Sequence, residues 1–294
     1  MKQFQGDEEA LGKGILYLVA TPIGNLEDIT LRALRILKEA DIIAAEDTRQ
    51  TLKLLNHFEI KKPLISYYEH NKIEKGNYLI NLLLEGKNIA LVSDAGTPGI
   101  SDPGEDLVRL AVENNIPVTM TPGPVAAVMA LVLSGLPSGR FAFEGFLPMN
   151  KRSRKERLLS LKKETRPMVF YEAPHKLKYT LKDLYDALGN RKIALARELT
   201  KKFEEITRCS LEEAVNKYAD ESPKGEFVLV VEGEDEEKLL IDKKRSWEAT
   251  SLDEHLQSYV DQGLSRKEAM KRVAGDRGLS KRDIYNSLLP EESQ

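Results

Sequence analysis

The sequence predicts two successive α/β domains followed by a small helical module. Short apolar runs alternate with amphipathic stretches from residue 15 onward, the pattern of a mainly parallel sheet with helical crossovers. The character changes after Phe141, where an apolar run leads into a strongly basic segment before the alternation resumes. A polar, acidic stretch from Glu232 to Lys244 then reads as a linker, beyond which the chain is helical only. The expected domains are residues 1–137 and 138–234 (both α/β), a linker at 235–248, and a helix-turn-helix-like module at 249–294.

Ile15 to Ala20 reads as a buried strand, and Leu31 to Ala40 has helical periodicity with Asp28 or Thr30 as its cap. Ile42 to Ala45 is a second strand, Thr48 to His57 a helix, and Leu64 to Tyr67 a third strand. Gly76 to Leu84 is helical and ends at Glu85-Gly86. Strand Asn88 to Val92, helix Glu105 to Glu113, strand Pro117 to Met120 and helix Val125 to Ser134 complete the first half. In the second half a helix runs through the basic segment to Lys163, and others occupy 175–187 and 211–219. Pro167 to Tyr171, Ile193 to Ala196 and Phe227 to Val231 are its strands. The tail repeats one arrangement, Gly263-Leu-Ser-Arg-Lys267 and Gly278-Leu-Ser-Lys-Arg282. In each copy glycine ends one element, serine caps the next helix, and basic residues fill its first turn. Cations there oppose the helix dipole, so nucleic-acid contact stands level with docking on a partner subunit.

Hydrophobic residues make up 41% and charged residues 31%, a soluble globular composition. A net charge of -3 argues against a histone-like binder but leaves room for a local basic face. Cys209 is the one cysteine, so no intrachain disulfide or cysteine zinc site is expected. His57, His70, His175 and His255 lie far apart without metal-ligand spacing, and no metal is expected. With no signal peptide or spanning segment expected either, a cytoplasmic protein is the default. A Walker loop and Gly-x-Gly-x-x-Gly are both absent, against nucleotide hydrolysis and ordinary dinucleotide binding.

Three stiff loops follow three strands: Thr21-Pro-Ile-Gly-Asn25, Val92-Ser-Asp-Ala-Gly-Thr-Pro-Gly-Ile-Ser-Asp-Pro-Gly104 and Thr121-Pro-Gly-Pro124. Corresponding strand ends are where α/β proteins bind ligands, so one crevice is expected. Asp94 can bind an amine, a ribose hydroxyl or a metal, or merely cap a helix. Gly96 and Gly99 allow close approach, and Pro98 and Pro103 lower the ordering cost of binding. Pro124 can simply start the next helix. Glu46 and Asp47 are candidate proton acceptors and Arg49 a phosphate holder, although Asp47 can equally cap its helix. His70, beside Tyr67 and Tyr68, is a further base or stacking surface, or the tyrosines are half-buried core. Lys151, Arg152, Arg154, Lys155 and Arg157 form the densest basic segment, either a solvated helix face or a polyanion contact.

Taken in order, these blocks together with Phe143-Glu-Gly-Phe-Leu-Pro148, Tyr171-Glu-Ala-Pro-His175, Ala196-Arg-Glu-Leu-Thr-Lys201 and Lys224-Gly-Glu-Phe227 carry a resemblance. The chain resembles the tetrapyrrole-methylase-like (class III methyltransferase) superfamily, and within it the bacterial small-subunit rRNA methyltransferases that act on a cytidine ribose 2′-hydroxyl. The resemblance covers roughly 14–231 closely. It implies a homodimer that binds S-adenosyl-L-methionine between two α/β domains and acts on 16S rRNA. The implied cofactor contacts in the first half are Pro22, Asp94, Ala95, Gly96 and Thr97, then Thr121, Pro122, Gly123, Pro124 and Ala126. In the second half they are Tyr171, Ala196, Arg197, Glu198, Leu199 and Glu226. Asp47, Glu46 and Glu172 are the candidate bases. Arg49, Lys176, Lys201 and the 151–157 cations are candidates to position RNA, with Arg266, Lys267, Lys281 and Arg282 in the tail. Pro22-Ile23-Gly24 replaces the glycine-richer first loop of porphyrinogen-methylating relatives, which argues against a tetrapyrrole substrate.

Overall fold

The computed structural model describes residues 12–221, 223–241 and 250–287. They fall into two compact units: a larger one, up to Leu161 and then Arg166–Glu232, and a smaller one, Lys162–Thr165 and from Gly233 on.

The larger unit holds two five-stranded sheets. The first comprises β1 (Leu16–Val19), β2 (Ile42–Ala45), β3 (Leu64–Ser66), β4 (Ile89–Val92) and β5 (Val118–Thr121), in the order β3-β2-β4-β1-β5 and parallel throughout. Helices α3 (Lys72–Leu84) and α4 (Gly104–Glu113) bury Leu79, Leu83 and Leu107 against one face. Helices α1 (Leu31–Glu39) and α2 (Thr48–His57) bury Leu37 and Leu55 against the other. With both faces covered, β1 and β4 are buried at every residue, which is why they read as unbroken apolar runs. Thr30, not Asp28, caps α1 through Ala33 N–H (3.0 Å). Helix α3 starts at Lys72, ahead of the expected Gly76; that glycine lies inside the helix, where a Cβ would come within 3.1 Å of Leu110 Cδ1 on α4.

The second sheet runs β6-β7-β10-β8-β9, from β6 (Ala142–Gly145), β7 (Met168–Glu172), β8 (Lys192–Arg197), β9 (Glu205–Ser210) and β10 (Phe227–Val231). Only β6 and β7 pair in parallel. Helices α6 (Lys151–Ser160), α7 (Leu177–Leu188) and α8 (Leu211–Lys217) bury Leu158, Leu181 and Leu211 on one face. The other face is covered by α5 (Ala126–Ser134), whose Ala127, Ala130 and Leu131 pack on Val169, Ala194 and Val230. The helix that follows the first sheet's last strand thus closes the second sheet. It begins at Ala126 with Val125 as its cap, so Pro124 is not its first residue.

Tyr67 ties β3 to the start of α4: its buried hydroxyl donates to Pro103 O at 3.1 Å. Tyr67→Phe strands that carbonyl and should cost about 1–3 kcal/mol in urea unfolding. Burial, then the Asp106 carboxylate, pushes the phenol up from 10.0 to about 12. A raised folded-state pKa makes this contribution complete below pH 10 and lost as pH passes through about 12. The variant should therefore lack that alkaline loss.

The smaller unit contains α9 (Leu252–Asp261), α10 (Arg266–Arg277) and α11 (Lys281–Ser287), packed around Leu256, Val273 and Ile284. Ser251 with Glu254, and Ser265 with Glu268, form reciprocal capping boxes. Ser280 and Asp283 exchange the same two bonds at 3.0 and 3.1 Å. Gly278 ends α10 with φ 65, as the repeated Gly-Leu-Ser pattern requires. The Lys281 side chain, residues 242–249 within and beside the expected linker, and residues 288–294 lie outside the described residues.

Candidate functional site

Parallel strands put the loops after β1, β2, β4 and β5 on one edge of the first sheet. The loops after β1 and β4 are joined backbone to backbone, Thr21 N to Gly96 O at 2.9 Å and Gly96 N to Thr21 O at 3.0 Å. Gly96 has φ 83, and a Cβ there would press within 3.1 Å of Ile23 Cγ2. Asp94 Oδ1 accepts Asp47 N–H at 2.8 Å, which fastens the β2 loop to the same edge. Thr97 Oγ1 donates to Pro124 O at 3.0 Å, adding the β5 loop.

The turn beyond Thr97 is wound around one carboxylate. Asp102 accepts N–H bonds from Gly99 (2.9 Å), Ile100 (3.2 Å) and Gly104 (2.8 Å). A Cβ on Gly104 would lie 2.6 Å from Asp102 Oδ1, so only glycine fits there. Ser101, between them, is held at φ 64, a conformation that L residues adopt rarely and usually where surroundings over-determine it.

These loops and the facing ends of β7 and β10 enclose a cavity of about 510 Å³. Asp94, Ala95, Gly96, Thr97, Pro124 and Ala126 line it from the first half. Tyr171, Glu172 and Glu226 line it from the second. Ile23, Val125, Phe146, Phe227 and Val228 supply apolar wall. With Glu46 and Asp102 added, the lining carboxylates are five: Glu46, Asp94, Asp102, Glu172 and Glu226. Burial, then the Asp94 and Asp102 charges, pushes the Glu46 carboxyl above its ordinary value. Among the described residues no His, Cys, Asp or Glu cluster is arranged to hold a metal ion.

Other expected site residues fall elsewhere. Pro22 lines a neighbouring hollow of about 370 Å³ that shares Ser93 and Asp94 with the cavity. Thr121 is buried, its hydroxyl accepting Ala20 N–H at 3.2 Å, and Gly123 packs against Ala20, where a Cβ would come to 2.4 Å. Pro122 is likewise outside the cavity lining. Ala196 and Leu199 are buried in the α5 cluster. Arg197 donates to Lys224 O (2.7 Å). Lys201 bridges Glu198 and Glu226, each at 2.9 Å. The Glu198–Lys201 turn packs onto the first loop so closely that a Cβ on Gly24 would meet Lys201 Cγ at 2.3 Å. Thr21 Oγ1 and Thr200 Oγ1 are buried near this junction with no hydrogen-bond partner among the described residues.

Asp47 caps α2 and is clasped by Arg49 Nε (3.1 Å) and Nη2 (2.9 Å). The Arg49 hydrogen bonds hold its carboxyl down to about 2, too weak a base for neutral pH. Glu172 is buried; it accepts Ala173 N–H at 2.8 Å and the Thr180 hydroxyl. Of the cations on α6, Arg152 pairs with Glu156, Arg154 with Asp183 and Arg157 with Glu144. Lys151, Lys155, Arg266, Lys267 and Arg282 are exposed, as are His70 and His175. His255 is fully buried in the smaller unit beside Arg277 and Asp276. No helix among the described residues is long and apolar enough to cross a membrane.

Asp102 was the main residue missed within a loop already singled out. Its signal is the spacing Gly99-Ile-Ser-Asp102-Pro-Gly104, where an aspartate two or three residues from glycine N–H groups can close a turn. Phe227 and Val228 were read only as strand; their role follows from lying next to Glu226 at a strand end that faces the loops.

Fold and cavity together define a two-sheet α/β protein with a ligand-sized cavity where loops of the two sheets meet. Residues 15–215 match the family described as Tetrapyrrole (Corrin/Porphyrin) Methylases, and the chain belongs to that family. It is 54% identical over 97% of its length to 98% of the Ribosomal RNA small subunit methyltransferase I of Halalkalibacterium halodurans. The protein of the same name from Bacillus subtilis is 48% identical, covering 93% of this chain and 94% of that one. Among solved structures, the uroporphyrin-III C-methyl transferase of Thermus thermophilus complexed with S-adenyl homocysteine shares the fold (TM-score 0.52; 21% identity; 74% of this chain, 97% of that one). Diphthine synthase does so at TM-score 0.56 and 14% identity, over 74% of this chain and 89% of that one.

Proposed function

We propose that this chain transfers the methyl group of S-adenosyl-L-methionine to the ribose 2′-oxygen of a cytidine in 16S rRNA of the small ribosomal subunit. The observation that carries the reading is the cavity itself, built by loops of both sheets and combining five carboxylate side chains with apolar wall. The cofactor's sulfonium and ammonium charges match that acidic lining, and its adenine matches the apolar side. When bound, it supplies an electrophilic methyl group. Near-identical length and 43–54% identity to proteins named for small-subunit rRNA methylation support the substrate class.

The chain's own task is to align the ribose oxygen and accept its proton. Glu46 suits this best among the candidates: it lines the cavity with a raised proton affinity, whereas Asp47 is tied to Arg49 and Glu172 to Thr180. An unpaired target fits this task best, because selecting one cytidine among many requires reading its base, and proteins read RNA sequence mostly on single-stranded segments whose bases can be splayed out. The chain acts as a homodimer, as the family resemblance implies, and in the cytoplasm, where its ribosomal substrate is.

Tritium from labelled S-adenosyl-L-methionine should appear in 2′-O-methylcytidine after incubation with isolated small subunits and nucleoside analysis. Cofactor binding without any labelled RNA would instead favour a small-molecule acceptor.

A further inference from the structure

We propose that the groove between α6 and α7 binds an unpaired segment of RNA, stacking one base on Tyr179 and holding the flanking phosphates with Lys151, Lys155 and Lys176. This rests on the rRNA reading above and extends it to a second contact, outside the methyl-transfer cavity. The groove encloses about 610 Å³, within the range of roughly 300–1,000 Å³ usual for small-ligand sites.

Its charge is unbalanced in a way that points to a polyanion. The two carboxylates along it are already neutralised, Asp183 by Arg154 (2.6 Å) and Asp186 by Lys182 (3.3 Å). The lysines are not: among the described residues Lys151 and Lys155 make no ion pair, and the nearest partner of Lys176 Nζ is the uncharged thioether of Met149 (2.8 Å). Tyr179 is 69% exposed and Met149 77% exposed, although both line the groove, so an aromatic face and a soft apolar edge lie open beside three lysines that no carboxylate neutralises among the described residues. Stacking platform plus backbone-tracking charge is how proteins hold single strands.

The groove also leads to the cavity. Phe146 lines the cavity, and two residues later the chain enters the groove at Pro148 and Met149. Beneath it, Arg154 donates to Thr180 Oγ1 (2.7 Å), whose hydroxyl donates to the cavity residue Glu172. A strand leaving the cavity past Phe146 would meet the lysines next.

The test is titration of the full-length protein with a fluorescein-labelled, unpaired RNA oligonucleotide across a salt series, with S-adenosyl-L-methionine affinity read separately by calorimetry. Tyr179→Ala should weaken RNA binding about 5- to 150-fold, and Tyr179→Phe, which keeps the ring, should bind like wild type. Lys151→Gln combined with Lys155→Gln should reduce the slope of log affinity against log salt by about 1.4, two single-strand phosphates' worth. Cofactor affinity should not change in any of them. Wild-type RNA affinity and salt slope in both Tyr179→Ala and the double variant would overturn the proposal. So would loss of binding to intact small subunits with free-RNA binding unchanged, which would assign the groove to a protein partner. Methyl transfer to small subunits by wild-type protein is scored independently, so failure of the rRNA reading and failure of the groove are told apart.

Discussion

Asp102→Ala should lower folding stability by about 2–4 kcal/mol, since one carboxylate is the acceptor for three backbone donors and charge-assisted bonds are the strong ones. The Gly99, Ile100 and Gly104 N–H groups all point at it, at 2.8–3.2 Å. Water can replace part of what is lost because the turn is only partly buried, which keeps the cost below three full bonds. The second effect is on binding. Without its central acceptor the turn from Gly99 to Gly104 must be ordered when the ligand arrives, and backbone ordering costs about 1–2 kcal/mol per residue. Ordering only one or two residues is enough to weaken S-adenosyl-L-methionine binding by about tenfold or more. Urea unfolding and isothermal calorimetry measure the two effects. Wild-type stability would mean that the three bonds contribute nothing net. Wild-type affinity in a destabilised protein would mean that this turn does not shape the site.

The first sheet was readable almost residue by residue because buried parallel strands have no polar alternation to blur them. Ile42–Ala45 and Thr48–His57 fall where periodicity puts them. Strand β9 was not foreseen: Glu-Ile-Thr-Arg-Cys-Ser is an edge strand with one neighbour, none of its residues fully buried, and pattern reading depends on burial. The role of α5 was hidden for a different reason. Its sequence shows apolar character on all sides, but which sheet it covers is decided by tertiary packing. In the cavity, the first-half loops announced themselves through glycine, proline and aspartate. Glu46 and Asp47 could not be ranked from sequence, because adjacent acids look alike until one is found capping a helix beside Arg49 and the other lining the cavity near two more carboxylates. The lysines of α6 pose the same problem. Sequence shows one basic run, whereas structure divides it into arginines committed to Asp183, Glu144 and Glu156 and lysines that are not.

Glu46→Gln should reduce kcat for methyl transfer by about 10²–10⁴-fold, the usual contribution of a positioned general base. Urea unfolding of the variant separates this result from loss of fold, and the electrostatics predict no loss. A carboxyl whose folded-state pKa is raised stabilises the fold fully below its unfolded value, and that contribution disappears as pH rises through the folded value. Once ionised, Glu46 therefore opposes folding, and a neutral isostere should leave the protein as stable as before or more so. The pH dependence carries the sharper test. A base must be ionised, so the single-turnover rate should rise with pH and level off above an inflection higher than the ordinary carboxylate value of 4.5. The largest cause of the shift is burial, and the next is the Asp94 charge. Asp94→Asn removes that charge and should move the inflection toward acid without returning it to the ordinary value, since the burial remains. Glu46→Gln turning over like wild type would remove Glu46 from the chemistry. A large rise in cofactor Kd with unchanged kcat would instead make it a binding residue, one that holds the cationic end of S-adenosyl-L-methionine and leaves the proton to another acceptor.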